Sequence, residues 1–198
     1  MNGVMVDIET LGNKVDSVML SISAVQFDMA TGKTGAEFHI DISPESCIEA
    51  GLKMSADTIM WWMKQNEEAR KMLTDVYDRG ESYLLAAALT EFNQWLRENT
   101  DTDKVELWGN SNRFDLGIIC KSMDAVNVEP AWKHFNEKDV RTLSGLIPEF
   151  KKNEVFTGVK HYGIDDCKFQ ISYCHKVFWH IQQGLTLLDE QLKRIQND

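Results

Sequence analysis

Val4-Met5-Val6-Asp7-Ile8-Glu9-Thr10 sets two acids inside an apolar, partly β-branched run near the start of the chain. Strand alternation puts Met5, Asp7 and Glu9 on one face, with Val4, Val6 and Ile8 on the other. The run reads as a central strand. Two carboxylates on one face of such a strand repel each other and are costly to bury without a cation between them. A hard, oxygen-seeking ion such as Mg²⁺ or Mn²⁺ meets that need. The alternative is a pair of acids on a solvated strand face.

Residues 18–27 and 36–42 read as two further strands. Between them, Asp28-Met29-Ala30-Thr31-Gly32-Lys33 has the composition of a hairpin connection, with Gly32 supplying a positive φ. Residues 3–9, 18–27 and 36–42 therefore form an antiparallel meander. Ser55 is placed to cap a helix running to about Leu73, where Ile59, Trp62, Met63, Ala69 and Leu73 follow helical spacing. A cleaner amphipathic helix spans about Ser82 to Glu98, with Leu85, Ala88, Leu89, Phe92, Trp95 and Leu96 on one face. A short strand, Val105 to Trp108, leads into Gly109-Asn110. Helices follow at about 114–124, at 139–147 with Pro148 as its stop, at 165–183 and at 185–195. Strands first, then strands alternating with helices, define an α/β mixed sheet flanked by helices.

The 198 residues suit one domain with a substantial core, and three prolines leave little room for a flexible hinge. Hydrophobic content of 43% and charged content of 26% are ordinary for a globular protein. A formal net charge of -10 argues against a broad, sequence-independent grip on a nucleic-acid backbone, but not against an enzyme that handles a chain end. Cys47, Cys120, Cys167 and Cys174 form no CxxC pair or zinc spacing and read as reduced, buried thiols. No signal-like start or long apolar run occurs, so the expected setting is the cytoplasm, without membrane attachment.

Two more motifs fall at element boundaries. Asp115 ends Trp108-Gly109-Asn110-Ser111-Asn112-Arg113-Phe114-Asp115, at a helix start, where an acid also complements the helix dipole. His161 and Asp166 stand in His161-Tyr162-Gly163-Ile164-Asp165-Asp166, with four residues between them. If Asp165 caps the last helix, Asp166 lies in its first turn and His161 in the preceding loop. A loop histidine can swing toward a metal-bound water and serve as a general base.

Taken in order, Asp7/Glu9, then Asn110 or Asn112 with Phe114-Asp115, then His161 with Asp166, resemble the DnaQ-like, DEDDh class of 3′–5′ exonucleases. The resemblance covers roughly residues 4–180. It implies a ribonuclease-H-like mixed five-stranded sheet and two divalent ions, Mg²⁺ or Mn²⁺. By the same resemblance, Asp7 would bridge the ions, Glu9 and Asp166 would complete the nucleophile-side site, and Asp115 would support the other. The implied reaction releases nucleoside 5′-monophosphates from a nucleic-acid 3′ end. Thr10 would meet the terminal sugar through its backbone. Leu11 would wedge against the last base, or else serve as a plain core leucine. Asp165 could replace Asp166 as ligand, although the His-x4-Asp spacing favours Asp166.

A second stretch, Ser55-Ala56-Asp57-Thr58-Ile59-Met60-Trp61-Trp62 with Gln65 and Glu68-Ala69-Arg70, is similar to phage DexA-type exonucleases and their bacterial exoribonuclease-like relatives. Trp62 is in phase with Ile59 and reads as core. Trp61 lies about 100° away and is the candidate to stack on a base. Arg113, Lys160 and Lys168 are the cations nearest in sequence to the acidic motifs. The leading expectation is single-stranded DNA as substrate, with RNA or short oligomers second. A non-catalytic binding subunit and a small-molecule phosphoesterase are the competing classes. A homodimer is expected only by analogy with family relatives.

Overall fold

The computed structural model describes residues 1–67, 69–71, 74 and 80–197. Five strands form one sheet: β1 (Gly3–Thr10), β2 (Met19–Phe27), β3 (Thr34–Asp41), β4 (Glu106–Gly109) and β5 (Glu137–Asp139), in the order β3-β2-β1-β4-β5. The first three pair antiparallel; β4 joins β1, and β5 joins β4, in parallel. The 28–33 connection is the expected hairpin, with Gly32 at φ 70° and its N–H donating to the Asp28 carbonyl at 2.8 Å.

Both faces of β1 are covered. Val4, Val6 and Ile8 pack in one apolar layer with α3 (Leu85–Asn99) and α4 (Asp115–Ala125), through Leu89, Phe92, Leu96, Leu116 and Ile119. Met5 lies in the other layer, with Val25, Phe27 and Trp108, under α7 (Gly163–Asn197), which contributes Ile164, Cys167, Ile171 and Cys174. Asp7 and Glu9 extend the Met5 face beyond this layer, where the apolar cover ends. The four cysteines are free. Burial pushes the Cys47 and Cys120 thiols up to about 11, which keeps them protonated and unreactive.

Several local expectations need correction. The helix beginning after Ser55 is short: α2 (Ala56–Met63) stops, and Asn66 starts a new turn by accepting the Ala69 N–H at 2.8 Å. Ile59 and Met63, expected to be apolar-facing, are exposed, whereas Trp62 is buried. Glu68 and Leu73 lie outside the described residues. Pro148 does not merely stop a helix; it opens one, α6 (Pro148–Asn153), at the first-turn position where a missing N–H costs nothing. The preceding helix, α5 (Val140–Ser144), is shorter than the expected 139–147: it gives up Asp139 to the edge strand β5 and ends at Ser144, capped by Gly145. The two C-terminal helices are one, since Gly184 weakens a helix by only about 1 kcal/mol and does not break it. The remaining helix, α1 (Pro44–Glu49), follows β3 and is capped by Ser43.

The start of α7 is pressed onto the sheet. A Cβ at Gly163 would lie 2.4 Å from the Ser23 hydroxyl and 3.4 Å from Asp7 Oδ2. Ser23 is fully buried and pairs directly with Asp7 across β1 and β2. Gly163→Ala should therefore destabilise the fold by about 1–3 kcal/mol through overpacking, despite the better helix propensity of alanine. Urea unfolding measures this, and Ser23→Gly in the same chain should recover part of the loss.

Candidate active site

Four carboxylates converge where the apolar layer under α7 ends. Asp7 and Glu9 come from β1, Asp115 from the first residue of α4, and Asp166 from the first turn of α7. They line a cleft of about 610 Å³ together with Thr10, Asn13, Trp61, Trp62, Asn110, Phe114, Arg141, His161 and Gln170. Glu9, His161 and Asp166 each bring one ligand atom to within 4.8 Å of the others. Asp7 and Asp115 line the same cleft but are not part of that tight trio.

The chain builds this cluster by local means. Ser111, at φ 109°, turns the loop after β4 so that its carbonyl accepts the N–H groups of Phe114 and Asp115 at 2.7 and 3.1 Å. That places Asp115 at the head of α4. His161 adopts φ 67°, and its backbone N–H donates to Asp166 Oδ2 at 2.9 Å. Asp165 points elsewhere: its Oδ2 accepts the Val159 N–H at 2.9 Å, and it does not line the cleft. The choice of Asp166 over Asp165 thus agrees with the geometry.

The cluster is electrostatically unsatisfied. Burial holds the Asp7 and Glu9 carboxyls well above the usual carboxylate range, and the neighbouring acids push them further. For Asp7, only the Gln170 amide, donating to Oδ1 at 3.1 Å, pulls the other way. Burial pushes Asp115 up to about 7, against backbone N–H groups and the Arg141 guanidinium. Burial also raises Asp166, less strongly. Asp115 Oδ2 and Gln170 Oε1 are buried without any hydrogen-bond partner. Orphaned carboxylate oxygen facing other acids is what a cation-binding site looks like without its cation. The oxygen-only acidic donors fit hard divalent ions.

His161 departs from the expected swinging loop histidine. Its ring sits edge-on to both Trp61 and Trp62, with centroids 5.2 and 5.6 Å away, and its Nδ1 is 3.9 Å from Glu9 Oε1. The two indoles also touch each other, with centroids 4.9 Å apart, so the tryptophan pair forms one aromatic wall against which the histidine rests. Trp62 is anchored by its indole N–H, which donates to the Thr10 carbonyl at 2.9 Å, while Trp61 remains 44% exposed at the cleft wall.

The other expected contacts divide. Thr10, Asn110 and Phe114 line the cleft. Leu11 does not; it packs half-buried against the layer under α3, so its side chain is committed to the core. Asn112 is also absent from the cleft wall. Its side-chain amide donates to Glu137 at 3.3 Å and its backbone N–H to Asp139 at 2.7 Å, which ties the loop to β5. Of the expected cations, Lys168 is paired with Glu37 at 2.8 Å, and neither Arg113 nor Lys160 lines the cleft.

Several cleft residues were missed: Asn13, the α2 residues Asp57 and Thr58, and, closer to the acids, Gln170 and Arg141. Gln170 is one helical turn beyond Asp166, so its presence was readable from i, i+4 spacing. Arg141 is the single Lys or Arg among the described cleft residues, and its Nε donates to the Asn110 carbonyl at 3.1 Å. Its signal lay hidden behind the unrecognised strand β5.

The class that the comparisons give for this sheet and its cluster of acids is the 3′–5′ exonuclease, a hydrolytic nuclease. Residues 2–178 match the family described as the 3′–5′ exoribonuclease Rv2179c-like domain, and the chain belongs to that family. An exodeoxyribonuclease of Enterobacteria phage T4 is 24% identical over 160 residues, covering 70% of this chain and 68% of the relative. Among solved structures, a full-length 3′-exonuclease superposes with TM-score 0.62 at 15% identity, covering 92% of this chain and 82% of its own. The nuclease domain of 3′hExo, a DEDDh member bound to rAMP, gives 0.59 at 13% identity over 92% of both chains. E. coli exonuclease I bound to a dT13 oligonucleotide gives 0.57 at 15% identity, covering 96% of this chain and 43% of its own. At these identities the structural matches carry the fold alone.

Raised carboxyl pKa values set the sign of a pH effect. Because burial favours the protonated acids, the cluster's contribution to stability is full below the unfolded value of about 4 and is lost as pH rises through about 7 for Asp115. In EDTA, the melting temperature should therefore fall between pH 5 and pH 8. Asp115→Asn should raise it at pH 8 and change it little at pH 5. Mg²⁺ should stabilise the unaltered protein more at pH 8 than at pH 5, as read by differential scanning calorimetry.

Proposed function

We propose that residues 1–198 act as one metal-dependent exonuclease domain that removes nucleotides from the 3′ end of single-stranded nucleic acid. The observation that carries this reading is the buried, uncompensated group of Asp7, Glu9, Asp115 and Asp166 in one open cleft. Asp7, Glu9, Asp115 and Asp166 would hold two divalent ions, Mg²⁺ or Mn²⁺. Bound there, the ions would supply a nucleophilic water and neutralise charge on the leaving 3′ oxygen.

The protein's own groups do the rest. Asp7, on the central strand, is fixed by the Gln170 amide and by the close approach of α7, so its carboxylate is positioned before substrate arrives. His161, resting against the tryptophan pair and beside Glu9, accepts the proton of the attacking water at its imidazole. Arg141 sits across the cleft beside Asn110 and faces phosphate oxygens. Trp61 and Phe114 offer exposed ring surface for the terminal base, and Thr10 and Asn110 line the place of its sugar.

DNA is the leading substrate, supported by the similarity to a phage exodeoxyribonuclease over most of the fold. RNA is the second reading, favoured by the exoribonuclease description of the family. The test is 5′-labelled single-stranded DNA and RNA of one sequence, each digested with Mg²⁺ or Mn²⁺. A 3′-shortening ladder that Asp7→Ala abolishes supports the proposal, and the faster polymer identifies the sugar. Intact polymers with folded, metal-loaded protein would leave a phosphoesterase of small molecules.

His161→Gln should lower kcat by about 10²–10⁴-fold while leaving metal affinity within a few-fold. Trp61→Ala should act mainly on KM, raising it by the equivalent of about 1–3 kcal/mol of lost base stacking. Steady-state kinetics on a short oligonucleotide separates the two effects.

A further inference from the structure

Beside the acidic cleft lies a second cavity of about 720 Å³, lined by Asn13, Lys14, Val15, Asp16, Ser111, Arg113, Phe114 and Lys121. The two share Asn13 and Phe114, so they adjoin across these side chains. Their electrostatics are opposite. The first is lined by five carboxylates, Asp57 of α2 among them, and one arginine, whereas the second gathers Lys14, Arg113 and Lys121 from two separate segments, the loop after β1 and the loop and helix after β4. Its only acid, Asp16, is already paired with Lys53 at 2.7 Å and held below the usual carboxylate range by that contact. Among the described residues, no ion pair engages Lys14, Arg113 or Lys121. Three uncommitted cations around one concavity stand out on a chain of net charge -10.

We propose that this basic cavity is the track for the nucleic-acid strand behind its 3′ end, a proposal that rests on the exonuclease reading of the cleft. The scissile nucleotide occupies the acidic cleft, and the strand crosses Asn13 and Phe114. The phosphates of the preceding nucleotides meet Lys14, Arg113 and Lys121. Phe114 is half-buried and lines both spaces, so its ring marks the step between terminal and penultimate bases. The division explains how so acidic a protein holds a polyanion: where much of its surface repels phosphate, this cavity offers a cationic exit from the acidic cleft. It also assigns Arg113 to the strand behind the end and not to the scissile phosphate.

The test compares the unaltered protein with the triple variant Lys14→Gln, Arg113→Gln, Lys121→Gln. A control removes the same charge elsewhere, through Lys33→Gln, Lys133→Gln and Lys152→Gln. Two readouts are taken. The first is kcat/KM on a 12-nucleotide single strand relative to that on the p-nitrophenyl ester of thymidine 5′-monophosphate, which reaches only the cleft. The second is the salt dependence of 12-mer binding with Ca²⁺ in place of Mg²⁺.

The triple variant should lose at least tenfold in the 12-mer to ester ratio. Its log–log salt slope should shrink by about 2, at about 0.7 per lost phosphate contact on a single strand. The control should change neither. Equal losses on ester and 12-mer, or a control that matches the triple variant, would overturn the proposal. So would an unchanged ratio and slope. If the unaltered protein cleaves neither substrate but the slope still falls only in the triple variant, the basic track stands and the exonuclease reading fails.

Discussion

Mutual repulsion among Asp7, Glu9, Asp115 and Asp166 is the constraint around which the rest of the structure is arranged. Four acids cannot share a buried cleft as anions without a compensating charge, and what Arg141, the Gln170 amide, Lys160, His161 and a few backbone N–H groups supply does not outweigh burial. The fold holds them there nonetheless. Two apolar layers grip β1 from both sides, so that its acidic end is presented at a fixed place. The first turn of α7 is drawn so close that only glycine fits at position 163. Strained backbone at Ser111 and His161 sets the other two corners. Stability is thus spent on an arrangement whose repulsion bound divalent cations would relieve.

The same constraint gives the tryptophan pair its purpose. An imidazole acting as a base beside carboxylates must be held off them while still reaching the attacking water. The indoles of Trp61 and Trp62 lie together against the His161 ring, and Trp62 is tied by its N–H to Thr10 at the end of the acidic strand. Strand, indole pair and histidine therefore form one connected unit. Beyond it, acidic and basic cavities meet at Phe114, which separates chemistry at the chain end from grip on the chain.

Much of this was legible in the sequence because it rests on local periodicity. Alternation in residues 4–10 separated two apolar faces and placed both acids together. The 28–33 turn followed from its residues; the choice of Asp166 over Asp165 came from the family resemblance, and in the structure Asp166 lines the cleft while Asp165 braces Val159. What was hidden depends on tertiary context. β5 is Glu137-Lys138-Asp139, with no apolar residue to signal it, and it exists because β4 offers a pairing edge. Missing it concealed Arg141. Leu11 and Asn112 carry side chains suited to a cleft, but neighbouring packing turns one into the core and the other onto β5. Neither direction is encoded in residue type.

Calorimetric titration with Mn²⁺ at pH 7, repeated in two buffers of different ionisation enthalpy, addresses the central claim most directly. The account predicts two bound ions per chain and release of protons on binding, because buried acids with raised pKa values must ionise to accept the metal. Heats independent of buffer, or no binding by the folded protein, would contradict it.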